Sequence, residues 1–371
     1  MYEFYSVFYR YKIARMIKKI IIKLRRRRIL TCVVLVILCG YVVLQTPLSP
    51  DLYFIHWGPL EDISCHYIDP DNTLPRAESG EFQPPSRSIF FHETSCKGDL
   101  DPRQACAVES AARAHPGWQI NVLFAAPVQK NTLKNGSLSV LRNFTNVRLS
   151  RVQITNYAKR TPLESMVSGG ALNRTRWRIS HTSDVLRYLS LYKFGGVYLD
   201  LDVVVAKALD PLVRNWAARE TDTAVAAGAL AFSRDQLGRS VAEAAIRDIK
   251  NNYRGDVWGY NGPGVITRIL KQQCSTSNLS QMSAATCNGF EVYGPQFFYP
   301  VEYWKGWEYF KPGEIKLEDT AYIFHVWNKL TGHLDVHKDS PFAKLARKYC
   351  PSVYKLYGKD FLLPVTLNST K

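Results

Sequence analysis

The sequence predicts an α/β domain built on parallel strands, set behind an N-terminal apolar anchor and a proline-rich stem. Three observations predict it: short apolar runs alternating with helical spacing from residue 88 onward, a charge-free 16-residue run at 29 to 44 behind a basic arm, and a strand-like segment, "GGVYLDLDVVV", that carries two carboxylates. A composition of 46% hydrophobic and 12% aromatic residues over 371 positions excludes disordered, collagen-like and low-complexity classes.

The N-terminal elements come first. Residues 1–28 hold ten Lys and Arg against one acid, Glu3, so the formal net charge of +16 falls to +7 over the rest of the chain. The run "ILTCVVLVILCGYVVL" follows, a little short of the roughly 20 residues an average bilayer needs and suited to a thinner one. No small-x-small cleavage site follows it and its basic flank is long for a signal peptide, so residues 29–45 read as an uncleaved signal anchor. The positive-inside rule then keeps 1–28 as a cytosolic tail and sends the remainder into the secretory lumen, a type II topology. A lumenal chain whose basic excess is confined to one arm is not a nucleic-acid binder, and the arm suits anionic lipid instead. Seven prolines between residues 45 and 86 mark a stem over 46–87, leaving 88–357 as the catalytic domain and 358–371 as a C-terminal tail.

Six cysteines lie beyond the anchor, an even number that suits an oxidising compartment. The sequence leaves their pairing open, although the short separations Cys96 to Cys106 and Cys274 to Cys287 favour local loops. None has zinc-type spacing. Five sequons, at Asn135, Asn143, Asn173, Asn278 and Asn368, fall on the expected lumenal side as candidate glycosylation sites.

Within the domain, "SIFFHETS" (88–95) and "QINVLFAA" (119–126) read as buried strands, and "CAVESAARAHP" between them as a helix ending at Pro116. That order suggests a parallel β-α-β unit. "VRLSRVQI" (147–154) reads as a further strand. "HTSDVLRYLSLYKFGG" (181–196) reads as a helix with Thr182 or Ser183 as N-cap and Gly195 as its stop. No internal repeat, Walker loop or GxGxxG loop occurs.

"GGVYLDLDVVV" is hydrophobic enough for a central strand, yet it contains Asp200 and Asp202. Strand periodicity puts both on one face, roughly 6.5 Å apart. Two like charges so placed need a cation or hydrogen-bond donors, and oxygen ligands of this kind suit Mn²⁺ or Mg²⁺, which can hold a diphosphate. An edge strand with its acids in water is the competing explanation.

The run "HTSDVLRYLSLYKFGGVYLDLDVVVAKALDPL" resembles the signature region of the lumenal α1,4-glycosyltransferases, the family of globotriaosylceramide synthase. The similarity continues in order through "SIFFHETSC", "CAVESAARAHP", "NNYRGDVWGYNGPGVITRIL", "FFYP", "AYIFHVWNK" and "ARKYCP", covering about residues 88 to 352. The resemblance implies a GT-A-type fold, a UDP-sugar donor, Mn²⁺, and an α-linked product formed with retention in the Golgi. Asp200 and Asp202 match the DxD motif, Asp202 as the more direct metal ligand and Asp200 toward the donor ribose and sugar or metal-bound water. His325 is the implied third ligand. Asp184 and Arg187, which alone would be an i,i+3 ion pair, match positions that reach donor hydroxyls. Glu93 and Thr94 at the end of the first strand, and Asn261 and Gly262 in "WGYNGPG", are further candidate donor contacts. In the synthase pattern His and Gln stand where this chain has Tyr260 and Asn261, which makes UDP-N-acetylgalactosamine a rival to UDP-galactose. A glycosphingolipid acceptor near the membrane competes with glycoprotein or mucin glycans, and a non-catalytic lumenal glycan-binding protein is the alternative outside enzymes.

Overall fold

The computed structural model describes residues 60–68, 74–313, 315 and 319–364, with residues 31, 32, 34 and 35. The chain divides into two compact units, 1–53 and 54–371. In the first, the described residues are helical and exposed. The expected cytosolic tail, most of the expected anchor and Asn368 lie outside the described residues. Among the described residues no helix is long and apolar enough to cross a membrane.

The second unit begins its sheet with β1 (Ser88–Glu93), fully buried along its length. Helix α1 (Pro102–Ala114) follows behind a capping box: the Asp101 carboxylate accepts the Arg103 and Gln104 N–H groups, and Gln104 Oε1 accepts the Asp101 N–H. β2 (Gln119–Phe124) and β3 (Val147–Arg151) then pair in parallel, as the alternation predicts. Helix α2 spans Arg178–Phe194 and leads into β4 (Gly196–Leu199). Besides short helical turns, the chain continues through β5 (Val203–Val205), β6 (Trp216–Arg219), β7 (Val225–Phe232), α3 (Gln236–Asn252), α4 (Pro263–Gln273), β8 (Glu291–Tyr293), β9 (Ile323–His325), α5 (Pro341–Tyr349) and α6 (Pro351–Tyr357).

Seven strands form one sheet in the order β3-β2-β1-β4-β7-β6-β8. The first four are parallel, whereas β7 runs antiparallel to both β4 and β6, so the sheet is mixed. Alternate residues face opposite layers. Ile89 and Phe91 join the core under α1, α5 and α6, while Phe90 joins the core under α2, α3 and α4. β1 thus stands where the chain passes from one helical layer to the other, between β2 and β4, and in open α/β sheets the ligand crevice lies outside the carboxyl ends of strands at such a switch.

Three local expectations are corrected. The expected strand from Gly195 to Val205 is two strands: β4 stops at Leu199, Asp200–Asp202 turn out of the sheet, and β5 pairs with β9 in a separate two-stranded sheet. Leaving the sheet spares two carboxylates burial between helical layers. Helix α2 starts at Arg178, ahead of the expected caps Thr182 and Ser183, because the Ile179 N–H is satisfied by Glu61 Oε2 from far upstream. Cys96 pairs with Cys65 and Cys106 with Cys350, whereas Cys274–Cys287 is the expected local loop.

The described part of the expected stem packs into the folded unit. Ile63 and His66 are buried, His66 Nε2 lies 2.7 Å from the Thr94 carbonyl, and Arg151 Nη2 donates to the Cys65 carbonyl at 2.8 Å. The four described sequon asparagines, Asn135, Asn143, Asn173 and Asn278, are all exposed.

Candidate active site

The turn after β4 brings Asp200 and Asp202 against His325 at the end of β9. His325 Nε2 lies 3.1 Å from Asp202 Oδ1 and 3.7 Å from Asp200 Oδ2. One ligand atom from each of the three residues falls within a 4.8 Å cluster. Each carboxylate is held by its other oxygen: Asp202 Oδ2 accepts the Asn328 N–H at 2.8 Å, and Asp200 Oδ1 accepts the Tyr198 hydroxyl at 2.6 Å and faces Arg187 Nη1 at 3.3 Å. The backbone locks the same turn, the Asp200 N–H donating to the Gly228 carbonyl and the Val326 N–H to the Asp202 carbonyl, both at 2.8 Å.

Trp327 makes the approach of β9 possible. It is left-handed, with φ of 59°, a strained conformation for a bulky residue. Its indole N–H donates to the Val301 carbonyl at 2.8 Å and its ring packs 4.2 Å from that of His325, which hold it there. The next N–H is the one Asp202 accepts.

Arg187 organises the wall beneath. It is almost wholly buried, pairs with Asp184 Oδ1 at 3.1 Å, donates to the Ala227 carbonyl at 2.8 Å and to Ser183 Oγ at 3.1 Å, and stacks on the Tyr198 ring. Burial pushes the Asp200 carboxyl up, but Arg187, then His325 and Tyr198, more than reverse it, so Asp200 stays ionised well below the usual range. Burial pulls His325 down, and the neighbouring Asp202 and Asp200 more than reverse that, holding it above the usual imidazole range; as a metal ligand it would give up the proton on Nε2. Asp184 is pushed up to about 7 by burial, with Arg187 opposing and Asp200 adding to the rise.

The donor set fits a divalent cation. Two carboxylate oxygens and an imidazole nitrogen converge, and the space between them is kept by Gly228, where a Cβ would stand 2.8 Å from Asp200 Oδ2 and 3.2 Å from His325 Nε2. Gly262 does the same for Asp184: a Cβ there would lie 2.3 Å from its Oδ1.

Of the residues expected from sequence, Asp184, Arg187, Asp200, Asp202 and His325 form one continuous network, with Gly262 against Asp184. Others are placed apart from it. Thr94 Oγ1 donates to the Ile179 carbonyl at 3.0 Å, anchoring the start of α2. Asn261 is buried with its amide spent on the backbone N–H and C=O of Arg254. Glu93, buried at the end of β1, accepts the Ser95 N–H and hydroxyl on Oε1, while its Oε2 has no partner. Tyr198, Gly228 and Trp327 were not singled out by the sequence, and Ser183 was read only as a helix cap. Tyr198 had a signal, since it sits two residues before Asp200 on the strand. Gly228 and Trp327 are brought to the motif only by the pairing of β7 and β9.

Residues 101–221 match the model described as a glycosyltransferase sugar-binding region containing a DXD motif, and residues 234–357 match the α1,4-glycosyltransferase conserved region. Lactosylceramide 4-alpha-galactosyltransferase of Mus musculus is 32% identical over 313 residues, 81% of this chain and 85% of that protein. The chain belongs to the α1,4-glycosyltransferase family. The alpha-1,4-N-acetylglucosaminyltransferase of Homo sapiens is more distant, 24% identical over 72% of this chain and 80% of its own. Among solved structures, the galactosyltransferase LgtC with donor and acceptor sugar analogues shares 16% identity over 71% of this chain and 96% of its own, at a TM-score of 0.38. As a member of the α1,4-glycosyltransferases the chain is a hexosyltransferase, and its DXD motif is the Asp200–Asp202 turn described above.

Proposed function

We propose that this chain is a Mn²⁺-dependent, retaining α1,4-glycosyltransferase that moves galactose or N-acetylgalactosamine from a UDP-sugar to the terminal sugar of a glycosphingolipid, anchored in the Golgi membrane through residues 29–45 with its catalytic domain in the lumen. The observation that carries the metal and donor reading is the convergence of Asp200, Asp202 and His325 above a buried Arg187. The galactosyltransferase relatives act, by their names, on lactosylceramide, which supports a glycolipid acceptor and a galactose donor. The GT-A assignment rests on the DXD family and on the mixed α/β sheet with its site at the carboxyl ends of parallel strands.

Asp202 and His325 would hold the cation, with Asp200 completing the set through Oδ2. A bound divalent cation neutralises diphosphate charge and stabilises the nucleoside diphosphate as a leaving group. The chain's own residues do the positioning. Arg187 and Tyr198 fix the Asp200 carboxylate, the Asn328 N–H fixes that of Asp202, and Gly228 keeps the floor clear. Asp184, held by Arg187 and backed by Gly262, is placed to accept a donor hydroxyl. No residue of this set stands out as a covalent nucleophile, and the contribution assigned to it is electrostatic and orientational.

The test is transfer by the full chain in detergent, with Mn²⁺ and a panel of UDP-galactose, UDP-N-acetylgalactosamine and UDP-N-acetylglucosamine, on glycolipid-type and mucin-type acceptors, beside Asp202→Asn. Transfer from one donor to glycolipid that is abolished by EDTA and by Asp202→Asn is the expected result. Transfer only to mucin-type acceptors, or transfer that survives both treatments, overturns the proposal.

A further inference from the structure

Buried polar atoms without a partner are uncommon in folded proteins, and each one asks for a reason. Three tyrosine hydroxyls among the described residues are of that kind, those of the half-buried Tyr67 and of Tyr299 and Tyr309, the last two nearly fully buried. Their surroundings differ. Tyr309 sits in the apolar core, and burial alone raises its pKa. Tyr299 belongs to the "FFYP" segment, to which the site described above gives no role. Its ring packs 5.4 Å from that of His325 and 5.6 Å from that of Trp327. Asp200, Glu220, Arg187 and Asp202, three of them members of the site, lie near enough to act on its phenol electrostatically.

The outer oxygens of the two acids are already engaged. Asp200 Oδ1 takes the Tyr198 hydroxyl and Asp202 Oδ2 takes the Asn328 N–H. A phenol is a neutral hydrogen-bond donor at physiological pH. A donor among metal-binding acids is matched by the oxygens that a cation brings with it, and phosphate oxygens are strong acceptors. We propose that Tyr299 is a substrate-contacting residue of the transferase site, its hydroxyl donating a hydrogen bond to a diphosphate oxygen of the nucleotide-sugar donor. This assignment rests on the UDP-sugar reading given above.

The experiment titrates UDP with Mn²⁺ into the full chain, Tyr299→Phe and Tyr309→Phe by calorimetry, with a melting curve for each without ligand. Phenylalanine keeps the ring that packs on His325 and Trp327, so both variants are expected to melt at or slightly above the wild-type temperature. Tyr299→Phe is expected to bind UDP about tenfold more weakly, the loss typical of a hydrogen bond to a charged group, and Tyr309→Phe to bind as the wild type does. Equal affinity of Tyr299→Phe and wild type overturns the proposal while leaving the UDP-sugar reading intact. A Tyr299→Phe chain that melts several degrees lower overturns it too, because the hydroxyl would then be partnered inside the fold. A wild-type chain that does not bind UDP overturns the underlying reading and this proposal together.

Discussion

Nε2 of His325 lies 3.1 Å from Oδ1 of Asp202, although His325 ends one strand of the separate two-stranded sheet and Asp202 sits in the turn just before the other. The pairing of Val203 with His325 sets this distance, and the left-handed Trp327 and its ring packing hold it. His325→Ala is therefore expected to lower Mn²⁺-dependent transfer by at least about 10- to 100-fold, the range for losing even a ligand's supporting partner. Mn²⁺ titration followed by transfer rate checks it, and an unchanged Mn²⁺ requirement would remove His325 from the metal set.

Gly228→Ala isolates the room between the carboxylates. The added Cβ would stand 2.8 Å from Asp200 Oδ2, so the carboxylate must move. A displacement of that size costs about 1–3 kcal/mol of stability as local overpacking, and about 10-fold or more in rate through misplacement of reacting groups. Activity should thus fall further than stability. Equal activity in a folded variant would show that the space is not needed.

Arg187 is expected to be structural and functional at once. Its side chain is 7% exposed, and its guanidinium faces Asp184, Asp200, the Ala227 carbonyl and Ser183. Arg187→Met leaves the buried Asp184 and the partly exposed Asp200 without their counter-charge, a loss at the lower end of the roughly 3–5 kcal/mol of a broken buried pair. Arg187→Lys should rescue only part of this, because an ammonium cannot reproduce the planar fork. Urea unfolding of the three chains measures the difference, and full rescue by lysine would refute the argument.

Glu93 gives a pH signature. Burial pushes its carboxyl up to about 8, against an ordinary 4.5, with the Ser95 hydrogen bonds opposing the rise. Between those values the unfolded chain has released a proton that the native chain keeps, so this group costs stability progressively as pH rises from about 4.5 to about 8. Glu93→Gln removes the ionisation while keeping an acceptor for Ser95. The variant should gain about 3 kcal/mol over the wild type between pH 5 and pH 8. Denaturation curves at the two pH values decide it, and a constant offset would show that Glu93 ionises normally.

Much of the fold was legible because its signals are local. The apolar runs of β1, β2 and β3 and the helix between the first two stand near their expected bounds, since burial on both faces demands continuous hydrophobicity. The DxD motif was legible for the opposite reason: two acids in an apolar run break the pattern, and the exception marks chemistry. Thr94 and Asn261 show the limit. Polar residues next to glycine-rich or strand-end segments look alike whether they serve a ligand or the backbone, and here the Ile179 carbonyl and the Arg254 main chain claim them.

The sequence by itself determined the parallel start of the sheet, the family and the acidic pair, because hydrophobic periodicity and a motif in order are properties of neighbouring residues. Only the tertiary structure decided that the acidic pair lies in a turn rather than on one strand face, which cysteines join, and that Gly228, Tyr299 and Trp327 belong beside it. Those outcomes depend on which strand pairs with which. Contacts between distant segments carry no local sequence signature, since the free energy that selects them comes from burying whole layers against one another.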